Sequence, residues 1–144
     1  VNEVKDGEMQ NAGSIQLTFF DIFSDKTKQF GFKAVFPSGK VLACLGDEPF
    51  NEKCRNFVQN CDYLMCEAFC LYSQKDIFKP YEKFHSTALD AGKLAESLFA
   101  KNLILYHTED ETLQTRKRTY TSEARTVFNG NIFVPDDFEV INLK

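Results

Sequence analysis

The stretch KFHSTALDAGKLAESLFAKNLILYHTED (residues 83–110) decides the fold, because it leads from one structural element into the next and carries both histidines of the chain. Small apolar residues recur in it three and four positions apart, which predicts a helix whose buried face packs closely on a sheet. These residues are Ala88, Ala91, Ala95 and Leu98. Ser86 or Thr87 is the expected N-cap, and NLILY (102–106) is the expected strand after the helix.

Upstream of this stretch, aromatic and β-branched residues predict a sheet. The first strands form an antiparallel meander that includes the turn PSGK at 37–40. They are IQLTFFDIF (15–23), QFGFKAVF (29–36) and VLACL (41–45). Residues 46–60 then have a helical composition, DYLMCEAF (62–69) predicts another buried strand, and residues 73–84 form an irregular connection around Pro80.

Downstream of the stretch, the pattern predicts one more helix and two short strands. The helix is polar and ends near Phe128, and the strands are NIFVP (131–135) and FEVINL (138–143). Pro135, Asp136 and Asp137 are the turn signal between these strands. Strands that alternate with helices, with antiparallel hairpins at both ends of the chain, predict an α/β fold with a mixed sheet and flanking helices.

Composition limits the class of protein. The 144 residues are 43% hydrophobic and include 15 Phe, which suffices for one packed domain. The net charge of −4 and the pI near 5.2 argue against a generally basic nucleic-acid-binding surface. No apolar run approaches the roughly 18 residues of a membrane span, so we expect a cytoplasmic protein without a membrane partner. The opening VNEVKDGEMQNAG lacks an initiator Met and predicts a fragment of a larger protein.

The cysteines fall within one short window and include no CxxC spacing. They are Cys44, Cys54, Cys61, Cys66 and Cys70. Their odd number argues against a disulfide framework, and zinc sites prefer shorter paired spacings. We expect reduced, mostly buried thiols. A zinc cluster of Cys61, Cys66 and Cys70 is the alternative.

Polar residues stand at the ends of several predicted elements. They are Asp47 after VLACL, Glu67 at the end of DYLMC, His85 before the helix and His107 after NLILY. Ligands of open α/β sheets bind outside the carboxyl ends of the strands, so these groups are expected to converge on one cleft. Taken singly, each also has a structural explanation, such as a helix cap for Asp47 or a hydrogen bond to backbone for His107.

Four motifs in this order carry a resemblance to a known family. They are LACLGDEP (42–49), DYLMCEAF (62–69), KFHSTALDAGKLAE (83–96) and LILYHTED (103–110). Their order and separation resemble the second half of a metallo-β-lactamase-fold hydrolase, in particular the ribonuclease Z branch that processes tRNA 3′ ends. Residues 1–144 are then a single unit, the C-terminal half of an αβ/βα sandwich whose N-terminal half is absent.

The resemblance implies a role for each residue at the strand ends. Asp47 would bridge two divalent metal ions, with zinc as the first expectation, and His107 would ligate one of them. His85 would protonate the leaving oxygen, and Glu67 would orient His85. Ser86 and Thr87 open a helix, whose free N–H groups favour an anion, and would bind the substrate phosphate.

The chain also departs from the family pattern. The family's HxHxDH loop and a further histidine in the middle of the domain are missing, because residues 1–84 contain no histidine. The middle histidine is expected near residues 23–25, where only Ser24 and Asp25 could coordinate a metal. We therefore expect few or no metal ions on the isolated chain.

Two classes of function follow. The first is the C-terminal part of a metal-dependent hydrolase of phosphodiester, RNA-like substrates that is inactive as the isolated chain. The alternative is a non-catalytic half-domain that binds a partner or itself. The expected partner is the missing N-terminal half or a second copy in a homodimer, because an uncovered sheet face would be apolar. The aromatic residues expected on it are Phe19, Phe23, Phe30, Phe32 and Phe36.

Overall fold

Seven strands form one mixed sheet in which the order along the chain is also the order in space. The computed structural model describes residues 3–143. The strands are β1 (Met9–Ala12), β2 (Ile15–Asp21), β3 (Phe30–Val35), β4 (Val41–Cys44), β5 (Tyr63–Glu67), β6 (Asn102–Tyr106) and β7 (Asn131–Phe133). Strands β1 to β4 pair antiparallel, whereas β4 to β7 pair parallel. The predicted meander and the predicted α/β class are confirmed.

Helical segments connect the parallel strands, because parallel neighbours need a crossover and cannot be joined by a tight turn. The helices are α1 (Arg55–Val58), α2 (Lys75–Phe78), α3 (Ala88–Ser97) and α4 (Leu113–Arg125). Short 3-10 turns precede α1 and α2 and lie at Tyr81–Lys83. Within residues 3–143, no helix is both long and apolar enough to cross a membrane.

Helix α3 lies against the sheet through its small residues. Ala88, Ala91 and Ala95 are 0–1% exposed and belong to the same core cluster as Leu64 and Leu103 of the strands. Alanine side chains allow the helix axis to approach the sheet closely. The close packing predicted from the spacing of these residues is therefore confirmed.

Thr87 begins helix α3. Its hydroxyl accepts a hydrogen bond from the N–H of Asp90, and the Asp90 carboxylate accepts one from the N–H of Thr87, which completes a capping box. Of the two expected N-caps, Thr87 is the one observed. Ser86, one residue earlier, is therefore available to contact strand β5.

The other face of the sheet carries a second apolar cluster, none of whose members lies in a helix. We name this surface the open apolar face. Its buried residues are Ala34, Leu42, Tyr63 and Ile104, and its partly buried ones include Leu17, Phe32, Phe36, Met65 and Phe133. Of the five phenylalanines expected there, Phe32 and Phe36 belong to this cluster. Phe23 lies beyond the end of β2 and is 40% exposed.

The last predicted strand is wrong, because FEVINL (138–143) forms no strand and no C-terminal hairpin. Phe138 has a φ of +65°, which breaks an extended conformation. Ion pairs instead hold this segment against α4: Arg116 contacts Asp136 at 2.9 Å, and Lys117 contacts both Asp136 and Glu139. Beyond these pairs, Ile141 and Leu143 pack on the open apolar face.

The cysteines are mostly buried, as the sequence predicts. Cys54, Cys61, Cys66 and Cys70 are buried, and Cys44 is partly exposed. Burial raises the pKa of the Cys54 thiol to about 11 and those of Cys61 and Cys70 to about 12. In the part of the chain that the structure describes, no group of three or more His, Cys, Asp or Glu side chains is placed to hold a metal ion, so the structure gives no support to the zinc cluster of Cys61, Cys66 and Cys70.

Helices α3 and α4 pack closely at Gly92. A Cβ atom at this position would lie 2.8 Å from Cγ2 of Val127 and 2.9 Å from the carbonyl oxygen of Ala124.

We predict that Gly92→Ala lowers the free energy of unfolding by about 1–3 kcal/mol, because the backbone of α4 must shift. Urea denaturation measures the change. The exposed neighbour Lys93→Ala is the control, and a stabilised Gly92→Ala variant would contradict this close packing.

Candidate active site

Three of the predicted site residues lie at one end of the sheet, where the parallel strands have their carboxyl termini. Glu67 is the last residue of β5, His107 directly follows β6, and Asp47 comes three residues after β4. Because β4, β5 and β6 are parallel, their carboxyl termini share that end. Gly46 and His107 have φ values of +80° and +53°, so the chain turns sharply away after each strand.

The two histidines of the chain are neighbours. The ring centroids of His85 and His107 are 4.9 Å apart, with an angle of 31° between the ring planes. Phe69 stacks on His85 at 5.0 Å and lies 6.4 Å from His107. His85 is 9% exposed, whereas His107 is exposed to solvent. The two imidazoles that the sequence analysis expected to converge therefore lie side by side, and their roles stay predictions.

Glu67 is fastened to the residue that follows His85. Its Oε1 accepts hydrogen bonds from the N–H of Ser86 at 2.6 Å and from the Ser86 hydroxyl at 2.7 Å. Its Oε2 lies 3.4 Å from Nδ1 of His85. Neither of these two buried atoms has a hydrogen-bond partner within residues 3–143. A small rotation of either side chain would make the hydrogen bond.

Burial moves the pKa values of Glu67 and His85 towards each other. It raises the pKa of the Glu67 carboxyl to about 7, the Ser86 hydrogen bonds oppose this shift, and the charge of Asp47 adds to it. Burial also lowers the pKa of His85, with further lowering by Lys26 and His107 and opposition from Asp47. The pair can therefore gain or release a proton near pH 7, as proton transfer requires.

The start of α3 has no free N–H group to offer an anion. Ser86 donates to Glu67, Thr87 to Asp90, and Leu89 to Glu123. Ala88 donates to the carbonyl of Cys70. The predicted phosphate-binding role of Ser86 and Thr87 stays a prediction, and it requires these donors to change partners.

The charged loop in which the sequence analysis named Ser24 and Asp25 as possible metal ligands lies near the same end of the sheet and contacts it through other groups as well. Ser24 donates a 2.7 Å hydrogen bond to Glu48, which is 8% exposed, and Lys26 lies 3.8 Å from the same carboxylate oxygen. Lys26 is also the cation that lowers the pKa values of both His85 and Glu67. It follows directly after the segment in which the family pattern expects a histidine. Its position next to residues 23–25 was the one feature of the sequence that could have pointed to Lys26.

Tyr106 is a second residue that the sequence analysis missed. Its hydroxyl donates to the carbonyl of Gly46 and lies 3.6 Å from the Cys44 sulfur. Burial raises the pKa of this phenol, so it stays a donor. Tyr106 thereby ties the end of β6 to the turn that carries Asp47.

The described residues alone do not make a metal site. Within residues 3–143, no group of three or more His, Cys, Asp or Glu side chains is placed to hold an ion. Structural and catalytic zinc sites take three or four protein ligands. Asp47 and His107 would therefore need further ligands from outside this part of the chain.

The raised pKa of Glu67 predicts how stability depends on pH. The folded state holds this proton up to about pH 7, above the ordinary value of 4.5, so the free energy of unfolding falls as the pH rises between them. Between pH 5 and pH 7 the wild type should lose about 2 kcal/mol of its free energy of unfolding for this reason, and we predict that Glu67→Gln, which keeps an acceptor for Ser86, does not show this loss. Urea denaturation at pH 5 and pH 7 measures the difference between the two proteins.

Glu52→Gln is the matched control for this experiment. Glu52 is exposed, and its hydrogen bond to Arg55 lowers the pKa of its carboxyl. The contribution of the ionised Glu52 carboxyl to the free energy of unfolding is present above the pKa that this group has in the unfolded chain, and it is lost only on acidification. This contribution therefore does not change between pH 5 and pH 7. Equal pH dependence in wild type and Glu67→Gln would show that Glu67 is already ionised at pH 5.

Comparison with known proteins gives relatives in sequence and in structure, although no family model matches the chain. Ribonuclease Z of Bacillus cereus (strain AH187) is 32% identical over 98 residues, which are 68% of this chain and 31% of that protein. Ribonuclease Z of Bacillus thuringiensis (strain Al Hakam) matches over the same shares at the same identity. The matched region thus spans about a third of these relatives.

The solved structures share the fold. The metallo-β-lactamase fold protein YhfI from Bacillus subtilis superposes with a TM-score of 0.76 at 20% identity, over 92% of this chain and 51% of that one. The short form of human tRNase Z superposes with a TM-score of 0.69 at 23% identity, over 94% of this chain and 46% of that one. This chain therefore has the metallo-β-lactamase fold and is related to ribonuclease Z.

Proposed function

We propose that this chain is the part of a metal-dependent phosphodiesterase that acts on the leaving group of an RNA-like substrate. The observation that carries the proposal is the buried Glu67 carboxylate, which is held by Ser86 and lies 3.4 Å from Nδ1 of His85. This pair lies at the carboxyl ends of the parallel strands, where α/β proteins bind ligands. The sequence relationship to ribonuclease Z supports RNA as the substrate class.

In the proposed reaction His85 is the general acid. A phosphodiester leaves as an alkoxide, which needs a proton, and an imidazole supplies one near neutral pH when a carboxylate stabilises its cation. Glu67 is proposed to orient the ring from a distance of 3.4 Å and, because burial raises its own pKa to about 7, to share a proton with His85 near neutral pH. Phe69 stacks on the imidazole and restricts its movement.

Asp47 and His107 are proposed to contribute to a metal site, with Asp47 as a bridging ligand and zinc as the expected ion. Residues 3–143 supply too few ligands for such a site. We therefore propose that the remaining ligands come from a preceding segment of the same protein or from a partner, and that the isolated chain holds few or no ions and is inactive.

The open apolar face supports a requirement for such a partner. Partly buried residues such as Phe32, Met65 and Phe133 line one side of the sheet, where no helix contributes to the cluster. Soluble monomers seldom expose a large continuous apolar surface. The proposed occupant is the missing half of the domain or a second copy of this chain. The same observation supports the second candidate function, a non-catalytic half-domain that binds a partner or itself.

Two substitutions separate the proposed roles of the histidines. In the longer protein that supplies the other ligands, we predict that His85→Ala lowers turnover of a 3′-extended tRNA precursor by about 10²- to 10⁴-fold without loss of metal. His107→Ala should lose metal as well as activity. Turnover and elemental analysis measure the two effects, with Lys93→Ala as control. Equal metal loss in both histidine variants would contradict the separation of roles.

Self-association of the chain tests the role of the open apolar face. At micromolar concentration, we predict a species above the 16.5 kDa of one chain, either a homodimer or a complex with a co-purified fragment that mass spectrometry would identify. Phe32→Ser should weaken this association, because Phe32 lies on the face. Phe138→Ser should not, because Phe138 is fully exposed outside it. Sedimentation equilibrium of a 16.5 kDa monomer that unfolds cooperatively would contradict the prediction.

A further inference from the structure

A pocket of about 260 Å³ opens beside His85, between residues 49–50, the turn at Tyr81 and the first half of α3. Its walls include the side chains of Phe50, Tyr81 and Leu94. Asp90 contributes the only carboxylate among its lining residues. None of these four residues has a role in the site described above.

The size and lining of the pocket suit a small flat group. Pockets for drug-sized ligands start at roughly 300 Å³, so this one fits a ring system better than a whole nucleotide. Phe50 is partly buried, and Tyr81 is 51% exposed. Tyr81 is thus accessible to a ligand that stacks on it, whereas Phe50 packs on the core cluster and has the guanidinium of Arg55 5.9 Å from its ring centroid, so it offers the ligand its remaining surface.

Asp90 fixes the polarity of the pocket. Its Oδ2 accepts hydrogen bonds from the Tyr81 hydroxyl at 2.8 Å and from the Thr87 hydroxyl at 2.7 Å. Its Oδ1 accepts none from residues 3–143, and no cation pairs with this carboxylate there. The pocket therefore attracts a neutral N–H donor and repels a phosphate. Burial and Asp90 raise the pKa of Tyr81 to about 12, so the phenol stays a donor and holds its ring beside Asp90.

We propose that this pocket binds a nucleobase of the substrate, next to the phosphate that His85 acts on. The base would stack on Tyr81 or Phe50, and an exocyclic amine, such as that of adenine, would donate to Oδ1 of Asp90. The inference rests on the proposed function, because His85 borders the pocket and, as general acid, places the reacting phosphate at its mouth. The negative Asp90 keeps that phosphate outside while the base enters.

Binding of mononucleotides to the isotopically labelled chain, followed by NMR chemical shifts, tests the pocket. AMP should bind roughly tenfold more tightly than ribose 5-phosphate, because stacking of one base contributes about 1–3 kcal/mol, and 1.4 kcal/mol is tenfold. Purine riboside 5′-monophosphate, which lacks the amine, should bind with intermediate affinity. The shifts should centre on Phe50, Tyr81, Asp90 and Leu94.

Substitutions distinguish this pocket from other stacking surfaces. Tyr81→Ala and Phe50→Ala should remove most of the preference for AMP, whereas Tyr81→Phe should keep the stacking. Phe99→Ala is the control, because Phe99 is 71% exposed and lies beyond the other end of α3. AMP binding that is unchanged in both Tyr81→Ala and Phe50→Ala would overturn the proposal.

Different experimental outcomes would overturn the base pocket and the proposed function. Equal affinities for AMP and ribose 5-phosphate would overturn the base pocket and would not bear on the proposed role of His85. Adenosine, which has no phosphate, should still shift the pocket residues in a manner that depends on Tyr81. That result would support the pocket even if the longer protein hydrolysed no phosphodiester, which would refute the proposed function alone.

Discussion

The hydrogen bonds from Ser86 to Glu67 hold the candidate site together. They join the last residue of β5 to the residue before the N-cap of α3, through a backbone N–H and a hydroxyl that share one carboxylate oxygen. A buried carboxylate with only one such oxygen satisfied is costly, so its other oxygen remains directed at His85. The position of His85 beside Phe69 and His107 depends on this connection. Loss of the connection would release both the helix start and the imidazole.

Much of the fold was predictable because local and long-range preferences agree in this chain. NLILY is both a mostly apolar run and a central strand of the parallel pairing, and its predicted and observed bounds are identical. The alanines of α3 have the spacing of a helix and the size that close packing needs. The placement of Glu67 and His107 at the same end of the sheet followed from the rule that ligands bind at the carboxyl ends of parallel strands, whereas His85 reaches that end from the connection before α3.

Other features depend on contacts that spacing does not reveal. FEVINL has the composition of a strand, but ion pairs of Asp136 and Glu139 with α4 hold the chain away from the sheet edge. Lys26 reaches the site from an exposed loop, and loops carry no periodicity that predicts their direction. The pocket beside His85 joins residues 49–50 to residues more than 30 positions later, so only the folded chain brings Phe50 and Tyr81 together.

The ion pairs between α4 and residues 136–139 have a consequence for the open apolar face. They tether Ile141 and Leu143, which pack on this face, so the chain carries its own occupant of the face at a high effective concentration. Any partner must displace these residues or accommodate them. Salt weakens exposed ion pairs more than apolar contacts, so ionic strength acts on this tether before it acts on the core. The C-terminal segment thus competes with any partner for the open apolar face, and the strength of its binding there depends on ionic strength.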